Sequence, residues 1–273
     1  MTDVVERYRS SALLAPHARA RVMTPALGPV DVHWHDFYEL SVVLEGRATH
    51  VLNGVPGALG PGSAFVLSPA DLHEIRPHDG QALRCYNLVI DPDDVETLLD
   101  RLATGVTFPL VAEGCLDLAS DLERLARELD DSSPEASVTA AALVTCLLVA
   151  LVRRGLTLQG SQRVPAGHEG VRRAVRYVDR HFREPLSLAD VAGLAHLSPN
   201  YFSERFHEVT GSSFQHYLQD RLLRFAHSLL QGTGLGVTEI CHAAGFSDLS
   251  HFGRLYRRRF DTAPNQGRKR HDM

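Results

Sequence analysis

The sequence predicts a multidomain α+β protein: an N-terminal all-β barrel, a helical region after it, and an all-α C-terminal domain. Three observations carry this prediction. Gly46, Asn53, Gly54, Gly57, Gly60, Pro61, Gly62 and Pro69 interrupt β-rich runs, at spacings of about ten residues that suit a small sandwich or barrel. From Pro92 the apolar period becomes helical. Two similar units of helix, tight turn and helix then fill the last 106 residues.

The size agrees. A chain of 273 residues exceeds one ordinary domain of roughly 100 to 200 residues. Hydrophobic residues make up 44% and charged residues 22%, enough apolar mass for real cores and too little charge for a disordered chain. The net charge of -5 argues against nucleic acid only until the chain is divided. Residues 1–167 hold 13 basic and 22 acidic side chains, net -9, whereas residues 168–273 hold 15 and 11, net +4. An acidic sensor joined to a basic reader has this pattern.

Neither export nor a membrane span is expected. Residues Met1 to Met23 carry charges at Asp3, Glu6, Arg7, Arg9 and Arg19 and no long apolar stretch. The most apolar run, Val138 to Val152, is fifteen residues, short of the roughly 20 a bilayer requires. Cys85, Cys115, Cys146 and Cys241 are too widely spaced for a disulfide scaffold or a short zinc-binding pair. A cytoplasmic location is the expectation.

In chain order, the barrel is expected over 1–92. Leu40 to Leu44 and Ala64 to Leu67 are β-rich runs, and Asn53-Gly54 is a type I′ hairpin signal. A helical region follows over 93–155, with Val95, Leu98, Leu99 and Leu102, then Leu118, Leu122, Leu125 and Leu129, at helical spacing. Residues Ala136 to Val152 are apolar on nearly every face, which predicts a helix covered on all sides by its own domain or by a second copy of the chain. Residues 156–167 have linker composition.

The final domain, 168–273, begins with a helix buried through Val171, Ala174, Val175, Val178 and Phe182. Ser187 caps Leu188 to Leu194, with Asp190 three residues on. Ser198 and Pro199 start the next helix, buried through Phe202, Phe206 and Val209. The pattern recurs as Val237 to Ala243, a turn at Gly245, and a helix capped by Asp248 with Phe252, Leu255 or Tyr256, and Phe260 inward. A long helix, Phe214 to Gln231, joins the units and spans about 27 Å.

The stretch Val171 to Arg270 resembles the DNA-binding domain of the AraC/XylS transcriptional regulators. The matching pieces are Leu188-Ala189-Asp190-Val191-Ala192, Ser198 to Phe206, Thr210-Gly211 with Phe214 and Tyr217, Arg221-Leu222, and Gly245 to Asp248 with Ser250, Phe252, Arg254 and Tyr256. The closing pattern departs at Asp261 and Gly267. The resemblance implies two recognition helices in successive major grooves of double-stranded DNA. By register Asn200, Ser203 and Glu204, and Leu249, Ser250, Gly253 and Arg254, face the base edges. Arg257, Arg258, Arg259, Arg268, Lys269 and Arg270 are expected on phosphates. It also implies a homodimer that activates transcription through RNA polymerase in response to a small molecule such as a sugar.

In the first domain, His33-x-His35-x3-Glu39-x6-Gly46 is similar to the first half of the cupin motif, and His73 stands where a later strand supplies a fourth ligand. The likeness implies a divalent metal held by His33, His35, Glu39 and His73, since imidazole and carboxylate suit Zn, Fe, Mn or Ni. Gly28, Pro69 and Pro77 depart from the motif. The same four residues, with Trp34, Phe37 and Tyr38 for stacking, are the candidate effector site; His50 and His78 are expected at the surface. Two alternatives stand beside the regulator: a metal-dependent cupin enzyme and a metal-sensing regulator.

Overall fold

The computed structural model describes residues 6–69, 71–102, 106, 108–159 and 168–266. The chain opens with strand β1 (Glu6–Tyr8) and the one-turn helix α1 (Ser10–Leu13), neither of which the sequence signalled. Nine strands follow: β2 (Ala20–Met23), β3 (Ala26–Leu27), β4 (Val30–His35), β5 (Tyr38–Glu45), β6 (Ala48–Leu52), β7 (Val55–Leu59), β8 (Ala64–Leu67), β9 (His73–Pro77) and β10 (Leu83–Ile90). Helix α2 (Pro92–Leu102) leaves the barrel, and the chain returns as β11 (Leu110–Ala112) on the edge of β8.

The strands form two facing sheets, β1-β4-β9-β6-β7 and β11-β8-β5-β10-β2, with β3 also on β10. The β6–β7 hairpin turns through Asn53 at φ 51° and Gly54 at φ 80°, the left-handed pair that a type I′ turn requires. Alternation along β5 sorts its side chains. Val43 joins Leu59, Phe65, Leu67, Ile75 and Leu83 between the sheets, while Tyr38, Leu40 and Val42 face the helices.

Helices α3 (Ala119–Asp130) and α4 (Pro134–Gln159) cover that outer face. Ala136, Ala140, Leu143, Val144, Leu147, Leu148, Leu151 and Val152 of α4 are buried, at the spacing of one helical stripe. The opposite face, with Val138, Ala141, Ala142, Thr145 and Cys146, is exposed. The expectation of cover on all sides therefore fails within one chain. Residues 134–155 are long and apolar enough to cross a membrane by composition, but their buried stripe packs on the sheet. Helix α4 also runs past Gly155 into the expected linker. A Cβ on Gly155 would lie 2.7 Å from Leu110, so the glycine lets the helix seat closely on β11. Residues 160–167 of that linker lie outside the described residues.

The C-terminal domain contains α5 (Glu169–His181), α6 (Leu188–Leu194), α7 (Pro199–Thr210), α8 (Phe214–Gly232), α9 (Val237–Ala243) and α10 (Leu249–Phe260). Two cores meet along α8. Phe214 joins Val171, Ala174, Val178, Phe202 and Phe206, and Phe225, Ala226, Leu229 and Leu230 join Ile240, Phe252 and Tyr256. The four cysteines are free thiols.

Candidate functional site

The two helix-turn-helix units repeat one local design. In the first, His196 turns the chain at φ 55° and Leu197 N–H donates to the Ala192 carbonyl at 3.0 Å. In the second, Gly245 does so at φ 80° and Phe246 N–H donates to the Cys241 carbonyl at 3.0 Å. Ser187 Oγ accepts from Asp190 N–H at 3.2 Å, and Asp248 accepts from His251 N–H. Ser198 has the extended backbone of a cap, but no side-chain cap bond, contrary to expectation; Pro199 at the helix start lacks an N–H to offer in any case. Asp261 ends α10 at φ 54° in the left-handed region, which aspartate tolerates.

Burying Phe202 and Phe206 in α7, and Phe252 and Tyr256 in α10, turns the other faces outward. Asn200, Glu204, Leu249, Ser250, Arg254, Arg257 and Arg258 are exposed, and Ser203 and Gly253 half-buried. The helices differ in charge. Glu204, Arg205 and Glu208 give α7 a net -1, while Arg254, Arg257, Arg258 and Arg259 give α10 +4. Arg259 is tied to Asp220, which also holds Arg224 at 2.6 Å, so the expected phosphate contact is engaged within the chain. Arg268, Lys269 and Arg270 lie outside the described residues. Tyr201, absent from the sequence-based set, is 49% exposed, with the Arg205 guanidinium 5.1 Å from its ring. Helical register between buried Phe202 and Ser198 was the signal that placed it outward.

The second site lies between the sheets. Strand alternation sends His33 and His35 of β4, Glu39 of β5, and His73 of β9 to the interior, where all four are buried. One ligand atom each from His33, Glu39 and His73 lies within 4.8 Å of the others. His35 joins through Glu39: His35 Nε2 is 3.4 Å, and His73 Nε2 3.7 Å, from Glu39 Oε2. The other carboxylate oxygen accepts from Asn87 at 2.9 Å and Ser41 at 3.3 Å. His50, expected at the surface, is also inside, its Nε2 3.2 Å from His73 Nδ1. His78 is exposed and bonds Thr49 at 2.9 Å.

Burial dominates the proton affinities here. It pushes Glu39 up to about 7, against the pull of its Asn87 and Ser41 donors. It pushes His35 down to about 3, with His33 acting in the same direction, and His50 down to about 4. His73 lies well below the ordinary imidazole range for the same reason, assisted by its histidine neighbours.

Of the aromatic residues proposed for the effector, Trp34 and Tyr38 do not line this interior. Phe37 is buried and stacks on His35 at 4.4 Å. Tyr38 points to the helices and meets Phe108 at 5.1 Å. Trp34, between two inward histidines, points outward onto the C-terminal domain. Its ring lies 6.4 Å edge-on from Phe225 of α8, with the guanidinium groups of Arg7 and Arg183 4.6 and 4.7 Å from its centroid. Gly232 of α8 sits so close to β4 that a Cβ would meet Val32 at 2.8 Å. A second bridge runs from α5 to α2, with Arg176 on Asp100 and Arg180 3.3 Å from Glu96.

A barrel with a polar interior, docked through β4 and α2 on a domain that leaves two repeated reading helices exposed, defines a DNA-binding regulator with its own sensor. The family models and the curated relatives agree. The AraC-like ligand binding domain family matches residues 21–148, and the helix-turn-helix domain family matches 191–270. The HTH-type transcriptional activator RhaS of Pectobacterium carotovorum subsp. carotovorum is 29% identical over 243 residues, 85% of each chain. RhaS of Salmonella schwarzengrund is 28% identical over 248 residues, 88% of each. Among solved structures, unsaturated-fatty-acid-bound ToxT of Vibrio cholerae aligns over 91% of this chain and 92% of its own, at 13% identity and a TM-score of 0.43. The chain belongs to the AraC/XylS family of transcriptional regulators.

Proposed function

We propose that this regulator is a cytoplasmic, homodimeric activator that places α7 and α10 in successive major grooves and alters its grip on DNA when a small molecule enters the barrel. The observation that carries the reading is the same turn-and-helix unit at both ends of α8. Its 19 residues span about 28 Å, which with the flanking units matches one DNA turn of about 34 Å. Arg254 pairs bidentately with guanine, Asn200 with adenine, and Glu204 accepts from cytosine; Leu249 and Tyr201 give apolar contact to thymine methyls. Ser203, Ser250 and Gly253 allow close approach. Arg257 and Arg258 neutralise phosphates, so the second unit supplies most of the salt-dependent affinity.

The relatives' name, transcriptional activator, supports activation with a contact to RNA polymerase, and it disfavours the enzyme alternative. The exposed apolar face of α4 supports a second copy of this chain as its cover. His33, His35, Glu39 and His73 support a polar, hydroxyl-bearing effector such as a sugar; Trp34 and Tyr38 are withdrawn from that site by their outward placement. The route to DNA includes β4, whose outer face touches α8, beside the packing on α3 and α4.

Footprinting of the full-length chain on the DNA flanking its own gene tests this. The expected result is a protected site covering two successive grooves per protomer, with affinity that shifts on adding the effector from a sugar and organic-acid panel. No sequence-specific protection under any condition would overturn it.

A further inference from the structure

We infer that Asn53 and Asp71 are a pair of positioning residues that hold Leu72 as an anchor for the C-terminal domain, and that make β9 a second line from the barrel interior to α8. The docking role stands on contacts alone, and its use in regulation rests on the sensor reading proposed above. Side chains knot the tip of the β6–β7 hairpin to the segment entering β9. Asn53 Nδ2 donates to Asp71 Oδ1 at 2.7 Å, and Asn53 Oδ1 accepts from the Leu72 N–H at 3.0 Å. The Asn53 N–H donates to the Leu72 carbonyl at 2.8 Å, so one residue grips the Leu72 backbone on both sides. Asp71 Oδ2 accepts from the Ser68 N–H and from Ser68 Oγ, each at 2.8 Å. Asp71 is 1% exposed, and a carboxyl group at that depth is tolerated because these donors meet it. The hairpin alone does not require it, since Asn53 and Gly54 already specify the turn.

What the knot presents lies across the domain boundary. Leu72 is buried in the core that holds Phe225, Leu229, Leu230 and Ile240 of the second reading unit. The hairpin tip meets the same helix: a Cβ on Gly54 would lie 3.0 Å from the His227 ring and 3.4 Å from Gln231. His227 in turn seats α10, with its Nδ1 2.7 Å from the Tyr256 hydroxyl and its ring stacked on Phe260 at 4.4 Å. Burial pushes the Asp71 carboxyl up, and its Asn53 and Ser68 donors, with the charge of Arg221 on α8, draw it back.

Strand alternation supplies the connection to the barrel interior. Leu72 faces the C-terminal core, and the next residue, His73, faces inward, where its Nδ1 is 3.2 Å from His50 Nε2. A displacement of His73 therefore moves the peptide plane it shares with Leu72. β4 has the same arrangement, with Trp34 outward between His33 and His35. Neighbouring strands β4 and β9 thus each pair an inward histidine with an adjacent outward anchor on one helix.

The experiment exchanges the two side chains in the full-length chain and reads hydrogen exchange without DNA. In Asp71→Asn the new amide meets the Asn53 amide, donor against donor, and the link is lost. Adding Asn53→Asp reverses its polarity: the carboxylate at 53 accepts from the Leu72 N–H and from the amide at 71, whose oxygen still accepts from Ser68. Aspartate also tolerates the left-handed backbone at 53, φ 51°. Asp71→Asn should speed exchange over residues 225–231 of α8 about tenfold, and the exchanged pair should return it to within about threefold of wild type. A role internal to the barrel would speed β6 and β9 and leave α8 unchanged; that result, or an exchanged pair no slower than Asp71→Asn, would overturn the proposal. Should Asp71→Asn fail to fold, Leu72→Ala, which leaves every hydrogen bond of the knot in place, carries the same test: α8 must speed up. His73→Asn should change exchange in α8 about threefold in the wild-type background and not in Leu72→Ala; equal effects in both would remove β9 as a line to α8. Neither DNA nor effector enters the measurement, so its failure is distinguishable from failure of the regulator reading.

Discussion

Replacing Trp34 with alanine is expected to loosen the DNA-binding domain from the sensor without unfolding either. Trp34 is 6% exposed, and truncating a buried tryptophan costs about 3 to 5 kcal/mol. Part of that loss is internal to the barrel side, where Arg7 covers one face of the ring. The contacts with Arg183 and Phe225 cross to the C-terminal domain. A desolvated cation–π contact contributes up to about 2 kcal/mol and an edge-on aromatic pair about 0.5 to 1.5. The docking equilibrium should therefore weaken by about 2 to 3 kcal/mol, a 30- to 150-fold rise in the undocked population. Calorimetry should resolve two transitions in the variant where the wild type shows tighter coupling, and hydrogen exchange should speed up along β4 and the facing side of α8. A Trp34/Arg183 double-mutant cycle should return about 0.5 to 2 kcal/mol of coupling. Unchanged exchange at that interface, with a Tm shift below about 1 °C, would refute the assignment of Trp34 as the main bond between the domains.

Other perturbations bear on the same surfaces. Gly232→Ala places a methyl 2.8 Å from Val32, and should cost about 1 to 3 kcal/mol; adding Val32→Ala should restore more than half of it in a melting assay. Arg254→Ala should lose about 1 to 3 kcal/mol of preference at one base position, whereas Arg258→Ala should weaken all sequences alike and flatten the salt slope by about one unit. A mutated-site panel titrated at several salt concentrations separates the two. Burial holds His227 below the ordinary imidazole range, with Arg259 adding to the effect, and its Nδ1 lies 2.7 Å from the Tyr256 hydroxyl. The native ring is then neutral, so its contribution is complete above the unfolded value of about 6.5 and is lost as pH falls below it. His227→Gln should make stability fall less between about pH 7.5 and 5.5 than in the wild type.

Local signals account for what the sequence revealed. Asn53-Gly54 specified its hairpin because few other pairs accept two positive φ angles. The reading units were legible because Phe202 and Phe206, and Phe252 and Tyr256, repeat one turn apart after a capping residue. Pairing between distant segments was not. β1 has three residues and takes its place by lying parallel to β4, with Glu6 opposite His33. β11 returns to β8 across 42 intervening residues, counted from Leu67 to Leu110. His50 shares a face with Ala48 and Leu52 by alternation, but only the pairing of β6 with β9 brings it to His73. For Trp34, alternation alone turns the ring away from His33 and His35. What covers that outer face is decided by the docking of α8, and no period in β4 encodes it.

The interface also decides which path carries a signal from the barrel to DNA. Coupling between sites in regulators is typically about 1 to 3 kcal/mol, and a route must have contacts of at least that size to transmit it. The bridge from α2 to α5 is ionic: the Arg180 and Glu96 side chains are 29% and 18% accessible, in a class of pair that contributes about 0 to 1 kcal/mol and is screened by salt, and in the less accessible Arg176–Asp100 pair, at 13% and 17%, desolvation offsets much of the Coulomb gain. The contact through β4 is aromatic and buried, with about 2 to 3 kcal/mol crossing the boundary by the reckoning above. Its geometry is also direct. His33, Trp34 and His35 are consecutive on one strand, so a ligand that moves the two histidines moves the peptide planes that hold the indole. With the effector bound as proposed, β4 is expected to be the stronger route, and effector response should survive high salt that dissolves the Arg180 bridge.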